Sequence, residues 1–203
     1  KEAIQSICDR AILLNAGKLA MQGAPESVMD YYNAMLAERE SPTISQQITT
    51  EGKLQTISGS GEAKVIDIAL LDKEGERVEV IDVGSPVLLE VRVKVQSPVP
   101  RLVLGYVIKD RLGQYIFGTN THYLEHPKTN LLPGTELIYR FEFQANLGPG
   151  SYSVATALVS TETHLANNYE WRELALVFSV ANMSKYVFVG TNWMPPKLEV
   201  IEL

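Results

Sequence analysis

Three histidines, His122, His126 and His164, are the side chains best suited to ligating a metal or moving a proton. His122 and His126 are four apart, but Pro127 follows His126 and biases it away from helical geometry, so a helix presenting both on one face is not expected. They read as solvated loop side chains, and no metal site is expected. Glu162, Glu170 and Glu173 offer carboxylates from which an acid/base pair for glycoside hydrolysis could be assembled, yet loop carboxylates are usually just solvated. Spacing alone leaves Ser-His-Asp and Cys-His arrangements open, but no nucleophile-elbow motif is present. The chemistry points to a non-enzyme that needs no cofactor.

A different group of side chains is suited to binding. Tyr115, Tyr123, Tyr169, Trp171 and Trp193 stand near turn signals, together with Asn120, His122, Asn167, Asn168, Arg172 and Asn192. An aromatic ring stacks on the C–H face of a pyranose, while planar amides and guanidinium groups donate to and accept from its hydroxyls. Tyr115, Asn120, His122, Tyr169, Trp171, Arg172 and Trp193 are therefore the candidate carbohydrate-binding residues. Each competes with a plainer reading as a packing residue, which is the reading for Tyr106 and Tyr139.

Composition narrows the partners. The 203 residues are 45% hydrophobic with a net charge of 18 − 24 = −6, and no apolar run approaches the roughly 20 residues of a membrane span. Scattered acidic residues argue against a nucleic-acid binder, which would show a basic face. The single cysteine, Cys8, excludes an internal disulfide and fits a reducing compartment. The chain opens on Lys1 without a methionine, as a fragment would.

The elements that must position these residues are mostly strands. Leu137, Tyr139, Phe141 and Phe143 alternate with Ile138, Arg140, Glu142 and Gln144, and Leu89, Val91, Val93 and Val95 alternate with Glu90, Arg92, Lys94 and Gln96. A Leu147-Gly148-Pro149-Gly150 corner leads into Ser151–Ser160, apolar or small on both faces and so expected to be buried on both. Further strands are expected at Val65–Leu71, Leu102–Lys109, Gln114–Thr119, Glu170–Val180, Tyr186–Val189 and Leu198–Ile201, with Asn120–Asn130 as a polar loop. The pattern is all-β: an immunoglobulin-like antiparallel β-sandwich over residues 62–203, with a jelly roll as the alternative. Residues 1–40 differ: Ala11–Leu14 and Lys18–Gln22 flank an Asn15-Ala16-Gly17 turn as a β-hairpin, and Pro25 opens an amphipathic helix to about Arg39. That piece cannot enclose a core alone and must dock on something. Residues 41–61, rich in Ser, Thr, Gln and Gly, read as a linker. After Pro195-Pro196 the terminal stretch 197–203 suits either an edge strand of its own sandwich or exchange with a second copy.

Cys8-Asp9-Arg10, Gly17-Lys18, Gly23, Pro25, Glu26 and Val28 fall in register with the end of an ABC-transporter nucleotide-binding domain, which this segment resembles. No G-x-x-x-x-G-K-[ST] phosphate loop accompanies it, so the chain itself is not expected to bind or hydrolyse ATP. Gly84–Val91, Asp110–Gly113, Leu131–Gly134 and Leu147–Val154, in that order after such a tail, resemble the C-terminal domain of the ATP-binding subunit of O-antigen polysaccharide exporters of the Wzt type. The resemblance implies a cytoplasmic carbohydrate-binding module peripheral to the inner membrane. It further implies recognition of the non-reducing end of a lipid-linked glycan, a homodimer, and a transmembrane permease reached through the ATPase domain.

Overall fold

The computed structural model describes residues 4, 7–38, 44–48, 54–161 and 168–202. The chain begins with the expected hairpin, β1 (Ala11–Asn15) against β2 (Lys18–Gly23), closed by Ala16 and Gly17, both at positive φ as a tight two-residue hairpin turn requires. Helix α1 (Pro25–Glu38) follows, with proline at its first position and Glu26 in its first turn, where a carboxylate complements the helix dipole. It buries Val28 and Met29, and with them the side chain of Asp30.

The rest is a two-layer β-sandwich, as the alternation predicts. The smaller layer is β11 (Glu136–Gln144), β7 (Pro86–Val95) and β5 (Ala63–Leu71), antiparallel in that order. The larger runs β10 (Lys128–Leu131), β8 (Val99–Asp110), β12 (Gly150–Val159), β13 (Asn168–Ala181), β4 (Leu54–Ser58) and β3 (Ile44–Ile48). Strand β9 (Tyr115–Asn120) lies antiparallel on β8, and β6 (Val80–Asp82) lies parallel to the end of β13. The core between the layers takes one face of each strand: Leu89, Val91, Val93 and Val95 from β7, Leu102, Leu104, Tyr106 and Ile108 from β8, Val154 and Leu158 from β12. Tyr106 and Tyr139 are both buried there, as expected, and burial pushes the Tyr139 hydroxyl up to about 12.

The Gly148-Pro149-Gly150 corner carries the chain from β11, at the edge of the smaller layer, to β12 within the larger, so the two strands belong to different sheets. Strand β12 is flanked by β8 and β13, and its outward side chains are small, which matches the expectation of burial on both faces.

Three expectations need correction. Within 41–61, read as linker, Ile44–Ile48 and Leu54–Ser58 pair with each other, and β4 continues the large sheet beside Trp171 and Arg172. Polar side chains hid them, because only ladder bonds and one partly covered face hold them. In the polar loop 120–130, Lys128–Leu131 pairs with the start of β8. Tyr186–Val189 and Leu198–Ile201 form no strand: Val187 and Val189 point to solvent, and Leu198, Val200 and Ile201 stand exposed beyond the two prolines without a ladder partner among the described residues. A strand exists only where a neighbour takes its backbone groups, and alternation cannot supply the neighbour.

Candidate functional site

Across the outer face of the large sheet, cross-strand registry assembles one row from four strands. Trp171 on β13 pairs with Ala157 on β12, Ala157 with Gly105 on β8, and Gly105 with Asn120 on β9. Three ladder steps separate Trp171 from Asn120, roughly 14 Å at the usual spacing between strands. Only a methyl group and a hydrogen stand on the floor between them. The next row repeats the device with Ala155, Val107 and Gly118.

The result is an open groove of about 670 Å³ with a floor of small residues and walls of rings and an amide. Tyr115, 51% exposed, and Tyr123, 66% exposed, stand along the β9 side with Asn120, and Trp171 closes the β13 side. The Asn120 side-chain oxygen also accepts the backbone N–H of Tyr123, which shapes the turn carrying that ring. The floor depends on Gly118, where an added Cβ would lie 3.0 Å from a Val107 methyl and 3.2 Å from the Tyr106 carbonyl oxygen.

The seven predicted residues divide. Tyr115, Asn120 and Trp171 are brought together in the groove. His122 lies beside Tyr123, their ring centroids 5.6 Å apart, and its Nδ1 is 2.9 Å from Arg101 Nη2. Arginine has only donors, so in this contact the ring nitrogen is the acceptor. The same Arg101 donates to the Ser160 carbonyl and so ties the turn after β9 to the end of β12.

Tyr169 is 7% exposed and its hydroxyl donates to the Arg101 carbonyl, while Arg172 reaches the Val65 carbonyl and the Glu170 carboxylate. Both side chains brace the sheet instead of lining the groove. Trp193 is elsewhere, packed on Tyr186 and Phe188 at centroid distances of 4.8 and 4.9 Å and lying over Gly84. Asn192 bridges Leu147 in the same region. Asn168 is buried, and Asn167, His164 and Glu162 lie outside the described residues.

The two remaining carboxylates of the imagined acid/base pair are both engaged. Glu170 accepts the Val65 backbone N–H and the Arg172 guanidinium, and Glu173 accepts from Lys109 and from the Trp171 indole. Among the described residues, no group of three or more His, Cys, Asp or Glu side chains is placed to hold a metal ion. Sequence reasoning missed the floor, since Gly105, Gly118, Ala155 and Ala157 carry no chemistry of their own. It also missed Lys109, although a lone charge in a strand apolar on both faces must find buried partners.

The sequence matches the family described as "Wzt C-terminal domain" over residues 55–194. The chain belongs to that family. Membership gives it a role in the O-antigen ABC transporter. The crystal structure titled "Crystal structure of the C-terminal domain of wzt" superposes with a TM-score of 0.64 at 17% identity, covering 72% of this chain and 89% of that one. At that identity the likeness speaks for the fold, which it shares. A Niemann-Pick type C2 protein from Japanese carpenter ant is more distant, with a TM-score of 0.43 at 13% identity over 61% of this chain and 96% of that one. No curated protein sequence matches the chain.

The Wzt-type domain here is built from strands, with helix α1 at its N-terminal side. No described helix is long and apolar enough to cross a membrane.

Proposed function

We propose that this domain is a non-catalytic carbohydrate-binding module that takes the non-reducing end of a lipid-linked O-antigen polysaccharide into the groove on its large sheet, and so selects chains for export. The observation that carries this is the Trp171–Ala157–Gly105–Asn120 row, a flat floor bordered by an indole and an amide, with Tyr115 and Tyr123 alongside. Rings stack on sugar C–H faces, the amide pairs with hydroxyls, and a floor of Gly and Ala lets a pyranose approach the sheet. His122, Tyr169 and Arg172 serve this site by holding its surroundings. Isothermal titration with purified O-antigen polysaccharide tests the proposal: saturable binding that weakens in W171A and N120A supports it, and absence of heat at millimolar glycan ends it.

A second element of the reading is a homodimer formed through residues 197–203, acting beside a cytoplasmic ATPase domain and a membrane permease. Its support is the exposed apolar run Leu198, Val200 and Ile201 on a proline-stiffened arm. Light scattering on the chain with and without 197–203 distinguishes a dimer held by this arm from a monomer.

A further inference from the structure

The groove and helix α1 meet at one buried lysine. Lys109 lies on the outer face of β8, opposite Tyr115 of β9. Its Nζ is 5.4 Å from the centroid of the Tyr115 ring, 2.5 Å from Glu173 Oε2 and 3.3 Å from Asp30 Oδ1. The second oxygen of Glu173 accepts the indole N–H of Trp171 at 2.7 Å. One cation therefore touches both aromatic walls of the groove, Tyr115 directly and Trp171 through Glu173, and touches the helix through Asp30.

The side chains of Lys109, Asp30 and Glu173 are almost wholly buried, at 3%, 5% and 1% exposure. Charges so far from water are tolerated only while they stay paired, and one ammonium, Lys109, serves both carboxylates here. Withdrawing Asp30 with its helix removes one of the two carboxylates on Lys109 and uncovers the Lys109–Glu173 pair to water, which weakens the hold of that pair on Glu173 and, through it, on Trp171. Among the described side chains of helix α1, Val28 and Met29 are the buried apolar ones, and the helix packs chiefly on β4.

We propose that α1 is a latch on the groove, with helix docking and ligand binding coupled through the Asp30–Lys109–Glu173 cluster. Occupancy that presses on Tyr115 and Trp171 favours the docked helix, and release of the helix loosens both walls. The coupling is reciprocal by linkage. Through it, the state of the groove reaches the segment that precedes the sandwich. The ligand's identity rests on the carbohydrate reading above; the coupling does not.

The test needs no ligand in its first arm. The two indole N–H signals in a 1H–15N spectrum are assigned with W193F, and their solvent exchange is followed in wild type, D30A and V28N. D30A removes the ionic contact, while V28N loosens the helix without touching the cluster and carries the same test should D30A not fold. The latch predicts that the Trp171 indole exchanges on the order of tenfold faster in these variants while the Trp193 indole is unchanged. An unchanged Trp171 signal overturns the proposal, and so does equal acceleration of both indoles, which would mean general loosening.

In the second arm, purified O-antigen polysaccharide is titrated into wild type and D30A, with weakening on the order of tenfold expected in the variant. Equal affinity overturns the coupling. If wild type itself fails to bind the polysaccharide, the carbohydrate reading falls, and the exchange result still decides the latch.

Discussion

Trp171 and Glu173, two residues apart on β13, share a hydrogen bond of 2.7 Å from indole Nε1 to carboxylate Oε1 beneath the edge of the groove. The carboxylate serves the indole and the Lys109 ammonium at once. Truncating it leaves Lys109 with Asp30 alone and the indole N–H without this partner. E173A is expected to cost about 3–5 kcal/mol, the usual penalty for breaking a buried ion pair, read as a lower urea midpoint with unchanged slope.

The same cluster makes a prediction in pH. Burial pushes the Asp30 carboxyl well above its ordinary value of 3.8, and the neighbouring Glu173 carboxylate adds to the rise against the pull of Lys109. A carboxyl raised on folding contributes stability below its unfolded value and loses it as pH climbs through the folded one. D30N carries the neutral form at every pH. Melting temperatures of D30N and wild type compared from about pH 4 to about pH 8 should therefore shift in favour of D30N as pH rises.

At Gly59 the backbone has φ +138°, and an added Cβ would fall 2.4 Å from the Tyr169 carbonyl oxygen. Neither the dihedral nor the main chain of β13 can yield cheaply. G59A should lose at least about 2 kcal/mol by denaturant unfolding. G105A is the control: its nearest contact would be Asn120 Cβ at 3.4 Å, ordinary packing distance, so its stability should stay close to wild type.

Filling the groove should separate binding from folding. The floor position Ala157 lies between Gly105 and Trp171 in the row. A157F places a ring where the glycan is proposed to lie. Polysaccharide affinity should fall by more than about tenfold, while the melting temperature changes by only a few degrees.

Most of the sandwich was legible because burial writes itself into strands. Leu89 to Val95 on β7 and Leu137 to Phe143 on β11 alternate, and those side chains meet in or against the core. The groove was legible only in its walls. Tyr115, Asn120 and Trp171 announce themselves by type, but that they share one surface depends on registry between β9, β8, β12 and β13, which no single strand encodes. Tyr169 and Arg172 have the same chemistry and face other groups, so type alone could not separate them from Trp171. Strands β3 and β4 escaped for the opposite reason, having polar sequences and a pairing that supplies what hydrophobicity does not.

The account rests on the claim that the row from Trp171 to Asn120 is a glycan-binding floor. Calorimetric titration of purified O-antigen polysaccharide into wild type and W171A tests it most directly. Saturable heat in wild type that drops at least about tenfold in affinity in a folded W171A is the predicted result, in line with the loss of one stacked ring. Equal binding by the two proteins, or no binding by either, contradicts it.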